Sequence, residues 1–283
     1  MMSSLLRLLA AFASLALLLS SAASAGGYER VRIPIDEGQL DGVLYRPAGP
    51  GPFPAIVALH GCGGLWRDNG TLSVRHSDWG ARLAEAGYVV LMPDSYGSRK
   101  LGSQCGVKEL TVRAGRERVA DAMAAKRWLQ MRADVRKDAV SLLGWSGGGS
   151  TILTAIRTDR RPADMLPDFT RAIAFYPGCR TQSESDSFRA RLPVLILMGD
   201  ADDWTPPAPC DFLARSARLR GESVELVLYP GALHDFDHPR LDVKERTDIA
   251  YSASGTGKVM VGTNPAARDD AIQRVKSFLL KTR

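Results

Sequence analysis

Between residues 31 and 281, short apolar runs alternate with stretches of helical periodicity, and this alternation restricts the fold more than any other feature of the chain. A strand buried on both faces reads as a continuous apolar run, and such strands need helices packed above and below them. Ala55 to Leu59 is one such run. Val89 to Met92, Ala139 to Leu143, Arg171 to Phe175, Val194 to Met198 and Val224 to Leu228 repeat the pattern. Helical spacing predicts helices over Trp79 to Ala86, Leu110 to Met131, Gly148 to Arg157, Asp211 to Arg220 and Ala266 to Lys281. The last carries Ile272, Val275, Phe278 and Leu279 on one stripe, as a docking terminal helix does. Val31 to Ile35 and Leu40 to Arg46, with Glu37-Gly38 at the turn, predict an opening antiparallel pair. Ser183 to Ser187 and Ser252 to Gly262 read as surface loops. The expected architecture is one α/β domain, a mostly parallel central sheet with helices on both faces.

The first residues read as an address. Arg7 precedes an apolar run from Leu8 to Leu19, and Ala23-Ser24-Ala25 supplies the small residues of a cleavage site. The run is about a dozen residues, against the roughly 20 of a membrane-spanning helix, so a cleaved signal over residues 1–25 is favoured over an uncleaved anchor. Residues 26–283 then form a single domain, periplasmic or secreted, with no membrane attachment after cleavage. The formal charge is +6 at pH 7, with basic residues scattered among acidic ones. A nucleic-acid partner would call for a basic stripe with interleaved aromatics, and none is present. Four cysteines, Cys62, Cys105, Cys179 and Cys210, follow the leader. An even count in an exported chain favours disulfides, and no Cys-x-x-Cys pair or histidine at ligand spacing suggests a metal. The sequence does not speak to oligomeric state.

The chemistry is carried by motifs that each follow a strand. Gly144-Trp145-Ser146-Gly147-Gly148 comes directly after Ala139 to Leu143 and opens a helical segment. In that context G-x-S-x-G is a nucleophile elbow, with the serine on a sharp strand-to-helix turn. A hydroxyl is a poor nucleophile at neutral pH and needs a base. His234, in the loop after Val224 to Leu228, emerges at the same sheet edge as Ser146, and His238 is the rival. A carboxylate must hold the base's ring and stabilise its charged form. Asp200, Asp202 and Asp203, in the loop after Val194 to Met198, compete for that role. His60-Gly61-Cys62-Gly63-Gly64 ends the strand Ala55 to Leu59, and its backbone there can turn N–H groups toward a reacting carbonyl. The N–H groups of Cys62 and Gly147 are the expected oxyanion donors, with His60 a structural hydrogen-bonding residue. The order Ser, Asp, His is that of the α/β-hydrolase fold.

From about Leu40 to Leu280 the chain resembles the dienelactone hydrolase family. The carriers are Leu59 to Gly64, Pro93-Asp94-Ser95-Tyr96, Gly144 to Gly148, Ala174-Phe175-Tyr176-Pro177-Gly178, Gly199 to Pro206 and Tyr229 to Phe236. The Tyr-Pro-Gly…His-x-Phe ending is more specific to the family than the serine elbow is. The resemblance implies a catalytic Asp three residues after the glycine and four before the proline of the acid loop. That position is Asp202, between Gly199 and Pro206, with Asp203 the runner-up. Two departures stand out. The family's namesake enzymes use cysteine where this chain has Ser146, and carry an arginine where this chain has His238. Arg99 lies close to the family's other carboxylate-binding arginine. A serine version of this kind looks like a general carboxylesterase.

The expected reaction is hydrolysis of a small-molecule ester or lactone through an acyl-enzyme on Ser146, without metal or cofactor. Trp66 and Trp145 are candidates for the substrate pocket, with ordinary core packing the alternative for each. A peptidase of the prolyl-oligopeptidase type and a non-catalytic binding protein on the same fold are the competing readings. All four cysteines fall just beyond proposed strand ends, on the edge that carries the site. Since the first two strands of this fold lie close together, and so do the last two, the expected pairs are Cys62–Cys105 and Cys179–Cys210.

Overall fold

The computed structural model describes residues 27–162 and 164–281; the expected leader over residues 1–25 lies outside them. Strands β1 (Tyr28–Ile35) and β2 (Gly38–Tyr45) form the opening antiparallel hairpin. Its turn is Asp36-Glu37, one residue earlier than the sequence suggested, because Gly38, at φ 109°, is already the first residue of β2. The remaining strands of the main sheet are β3 (Phe53–Leu59), β4 (Val89–Pro93), β5 (Val135–Trp145), β6 (Ala172–Phe175), β7 (Val194–Gly199) and β8 (Val224–Tyr229). Their order is β1-β2-β4-β3-β5-β6-β7-β8. β2 meets β4 antiparallel, and every pairing from β4 to β8 is parallel. β4 and β7 are buried along their whole length, which is why those segments read as unbroken apolar runs.

Among the described residues six α-helices complete the layers: α1 (Val74–Glu85), α2 (Glu117–Gln130), α3 (Gly147–Ala155), α4 (Arg180–Ser183), α5 (Ala208–Leu219) and α6 (Pro265–Leu280). Amphipathic α1 buries Trp79, Leu83 and Ala84. The Asn264 side chain caps α6 by accepting from the Ala267 N–H. Arg268 of α6 pairs with Asp78 of α1 at 2.6 Å. Residues 110–116 are irregular, although their spacing suggested a helix from Leu110. There the Glu117 carboxylate accepts from the Arg113 N–H and guanidinium, folding the chain back just before α2 begins.

Residues 252–262 depart from the loop expectation. Val259–Val261 is a strand, β10, paired antiparallel with β9 (Lys244–Arg246). Strands of three residues are too short to display an alternation. They are held instead by a satellite core of Cys105, Ile249, Val259 and Val261. The four-residue helix α4 likewise takes in Ser183, which read as loop.

β3 and β5 are adjacent in the sheet, yet the chain leaves β3 for β4 on its other side. Divergence of connections at such a point opens a crevice at the carboxyl ends of the strands, where ligands of α/β sheets bind. The segments after β3 and β5, carrying Cys62 and Ser146, flank it.

The disulfides are Cys62–Cys105 and Cys179–Cys210, the two expected pairs, closing loops of 43 and 31 residues. On the chain-entropy account each stabilises the fold by about 4 kcal/mol. The double replacements Cys62→Ser/Cys105→Ser and Cys179→Ser/Cys210→Ser should therefore each lower the free energy of unfolding in guanidinium by about 3–4 kcal/mol. Unchanged denaturation midpoints would contradict this account.

Candidate active site

β5 ends at Trp145 and α3 begins at Gly147, leaving Ser146 alone on the corner with φ 50° and ψ −117°. A side chain in such a conformation costs on the order of 1–3 kcal/mol and persists only where its surroundings fix it. Here the Ser146 N–H donates to Phe175 O at 2.9 Å, and Ser146 O accepts from Ser150 N at 2.9 Å. The motif's outer glycines have a steric cause. A Cβ on Gly148 would stand 2.1 Å from Leu59 O, and one on Gly144 would stand 2.8 Å from the Gly148 carbonyl carbon. The elbow is tight enough only because α3 approaches β3 and β5 backbone to backbone. The positive end of the α3 dipole lies at this corner.

His234 lies in the loop after β8, and its Nδ1 is 2.7 Å from Asp202 Oδ2, with both side chains buried. The imidazole is enclosed by two rings, Tyr176 at 4.4 Å and Trp204 at 4.6 Å between centroids. The chain has four histidines, and three of them are pushed toward the neutral form. Burial, aided by Arg118, drops His60 well below the usual histidine range. Burial and Arg75 bring His76 to about 3. His238 is also lowered, by burial and then Arg75. At His234, burial acts in the same direction, but the charge and hydrogen bond of Asp202 outweigh it and the pKa rises above 6.5. His238 Nδ1 instead accepts the Arg240 N–H at 3.1 Å.

The three carboxylates of the acid loop have separate partners. Asp202 accepts from the N–H groups of Trp204 and Thr205 through Oδ1, and from the Thr205 hydroxyl and His234 through Oδ2. Asp203 accepts the Met260 N–H at 2.9 Å and so ties the loop to β10. Asp200 accepts the Gly231 N–H at 2.7 Å, joining the acid loop to the turn that leads to His234.

Cys62 and Gly147 are neighbours across the crevice, since a Cβ on Gly147 would lie 3.8 Å from Cys62 N. Neither N–H donates to another backbone carbonyl among the described turn and loop contacts. His60 braces the loop: its Nδ1 is 2.8 Å from Gly61 O and its Nε2 accepts the Ser95 N–H at 3.1 Å. Arg118, fully buried in α2, donates to His60 O from beneath.

Two cavities of about 580 and 610 Å³ meet at Ser146, Cys62, Cys105 and Trp204. His234 and Trp66 line the second. Two residues suggested for the pocket do not line either cavity. Trp145 is fully buried, stacks on Phe175 and donates its indole N–H to Asp237 at 2.8 Å, so it is core. Arg99 is held by both oxygens of Asp121, at 2.9 and 2.7 Å, and by Ser95 O, which keeps its guanidinium out of the crevice.

Sequence reasoning missed the framework around His234. Asp237 is fully buried and accepts from Trp79 and Trp145 at 2.8 Å each and from the Tyr176 hydroxyl at 2.5 Å. Arg75 reaches Asp235 at 2.5 Å and Asp237 at 3.3 Å. One carboxylate thus joins α1, the residue before the nucleophile, the segment after β6 and the histidine loop. His-Asp-Phe-Asp in the sequence was the available signal, but nothing in it says that donors from three other segments converge there.

The sequence profile of the dienelactone hydrolase family matches residues 40–282. A Bradyrhizobium protein provisionally named 2-oxo-3-(5-oxofuran-2-ylidene)propanoate lactonase is 26% identical over 68% of this chain and 77% of its own length. A Methylorubrum extorquens protein provisionally named carboxymethylenebutenolidase is 27% identical over 73% of this chain and 71% of its own. Among solved structures, a thermophilic esterase of Thermogutta terrifontis with propionate bound superposes with a TM-score of 0.63 at 21% identity, covering 91% of this chain and 95% of that one.

Removing Asp237 strands three buried donors and takes from Arg75 one of its two carboxylates, leaving Asp235. Asp237→Leu should cost about 3–5 kcal/mol of unfolding free energy, the range for breaking a buried, hydrogen-bonded charge pair. Asp138→Leu, at an exposed carboxylate, should change it by less than about 0.5 kcal/mol. Chemical denaturation of the two variants checks the contrast, and equal effects would refute a structural role for the network.

Proposed function

The chain belongs to the dienelactone hydrolase family, and from that premise we propose that it hydrolyses carboxylic esters or lactones by acyl transfer through Ser146, His234 and Asp202. The observation that carries the reading is the buried His234–Asp202 pair at 2.7 Å, on a cavity wall shared with a serine held in a strained elbow. With Nδ1–H donated to Asp202, the tautomer leaves a lone pair on Nε2. Nε2 takes the Ser146 proton as Oγ attacks the substrate carbonyl carbon. The tetrahedral oxyanion lies against the N–H groups of Cys62 and Gly147, which donate to no backbone carbonyl among the described turn and loop contacts, and the α3 dipole favours the charge. Collapse of the intermediate breaks the bond to the leaving oxygen, which takes the proton from His234. Water, deprotonated by the same nitrogen, then releases the acid and restores Ser146.

The names of the curated relatives and the esterase neighbour agree with this substrate class. We also propose export through the leader at residues 1–25, a reading supported by the two disulfides, which persist in oxidising compartments.

A fluorophosphonate probe should label the protein at Ser146, and Ser146→Ala should abolish labelling and lower ester hydrolysis by at least ~10³-fold. A folded Ser146→Ala protein with near-full activity would move the nucleophile elsewhere.

The pH profile tests the pair. The base acts only when neutral, and its pKa is raised. The acid limb of kcat/KM should therefore lie above 6.5, with activity lost as pH falls through it. Asp202→Asn removes the two larger attractions that raise the value and leaves only Asp235 against burial and Arg75, which lower it. The limb should shift to lower pH while kcat falls by about 10³–10⁴-fold. Asp200→Asn and Asp203→Asn, which do not touch His234, should leave the limb in place. A limb unmoved by Asp202→Asn would dismiss Asp202 as the partner.

A further inference from the structure

The two cavities that meet at Ser146 differ in chemistry. The first is walled mainly by apolar groups, Val107, Leu110, Pro206, Pro209 and Tyr251, with the exposed Arg180 as its one lining cation. The second holds four cations, Arg67, Arg75, Lys244 and Arg246, against two carboxylates, Asp68 and Asp235. Arg75 is satisfied by Asp235 and Asp237. Among the described residues, Arg67, Lys244 and Arg246 pair with no carboxylate, and nearby Glu245 is taken by Lys258. With four cations against two carboxylates, the lining of this half of the crevice carries an excess of two positive charges.

Two of the cations are fixed relative to the chemistry. Arg246 and Lys244 lie on β9, which pairs with β10. β10 is joined to the histidine loop by a bridge between Val261 and His234, and by the Gly262 N–H donating to His234 O at 3.1 Å. Asp203 ties the same ribbon to the acid loop. The Arg246 guanidinium lies 5.2 Å over Trp204, whose ring in turn faces the His234 ring at 4.6 Å between centroids. Cation, indole and imidazole follow one another, so the charge sits beside the base.

His234 lines the cationic half and not the apolar one. The nitrogen that protonates the leaving oxygen must face it, which places the alcohol portion of an ester in the cationic half. The acyl portion then extends into the apolar half. Resting on the acyl-transfer reading above, we propose that the enzyme selects esters with an apolar acyl chain and an alcohol portion that carries an anionic group, carboxylate or phosphate, received by Arg246, Lys244 and Arg67. The residues are distinct from Arg99, which Asp121 holds away, and from His238.

The test compares hexanoate esters of 4-hydroxybenzoate, 4-hydroxyphenylphosphonate and neutral 4-hydroxybenzamide, together with the monophenyl ester of adipate, whose charge is on the acyl side. Wild type should show a kcat/KM about tenfold or more higher for at least one anionic leaving group than for the neutral ester, and its poorest substrate should be phenyl adipate. That preference should shrink as salt rises from about 0.02 to 0.5 M. In Lys244→Gln/Arg246→Gln the anionic-to-neutral ratio should fall about five- to tenfold, while Arg246→Lys keeps most of it. Lys137→Gln, at an exposed lysine outside both cavities, should leave the ratio unchanged. Hydrolysis of all four esters with no leaving-group preference, or preference for the adipate ester, overturns the proposal while leaving the acyl-transfer reading intact. Absence of hydrolysis would instead strike at that reading. Calorimetric binding of 4-hydroxybenzoate against 4-hydroxybenzamide tests the charge site without turnover: tighter binding of the anion, lost in the double variant, supports it, and equal binding overturns it.

Discussion

Asp237 is the point to which the edge carrying the candidate site is anchored. Its carboxylate is fully buried and accepts from two indoles and a phenol, with Arg75 alongside. An unpaired carboxylate at such depth would be expelled or protonated, so the site exists only while every donor is present. The donors come from α1, the end of β5 and the segment after β6. Trp145 immediately precedes Ser146, and Asp237 follows His234 by three residues. The distance between candidate nucleophile and candidate base is therefore set by a hydrogen-bonded cluster beneath them, and the surface loops have little say in it.

Burial alone would drive every histidine near the crevice to neutrality, as it does His60 and His76. His234 differs because a carboxylate faces its Nδ1 and two aromatic rings keep the imidazole in that orientation. Enclosure also removes competing water, which strengthens the Asp202 contact in the low local dielectric. The adjacent acids extend the device without duplicating it. Asp200 and Asp203 each spend their oxygens on backbone N–H groups, one fixing the turn before His234 and the other the β9–β10 ribbon.

That ribbon gives the crevice its asymmetry. It brings Lys244 and Arg246 to the side of the base, while the opposite half is mainly prolines and aliphatic side chains, with Arg180 its one lining cation. Both disulfides contribute cysteines to the apolar wall. The same bonds that constrain the unfolded chain also hold the segments after β3 and β6 against the cavity.

Much of this was legible in the chain itself. Runs of four or five residues, all or nearly all apolar, marked the parallel strands because burial on both faces leaves little room for polar positions. Gly144-x-Ser146-x-Gly148 after such a run marked the elbow because only glycine permits that approach of α3. Strand-end placement paired the cysteines. The local patterns failed where the determinant was a distant partner. Which of Asp200, Asp202 and Asp203 faces a histidine depends on where β8 delivers His234, and the family's spacing pointed to Asp202 before the fold paired the two. Trp145 and Arg99 looked available beside the motifs, but Asp237 and Asp121, remote in sequence, had claimed them. Three-residue β9 and β10 left no periodic signal, since they are held by packing and by Asp203. The chain's own pattern determined the sheet, the elbow and the order of the candidate groups. The tertiary structure alone decided which side chains are free to act, because hydrogen bonds and ion pairs between distant segments are invisible to local spacing.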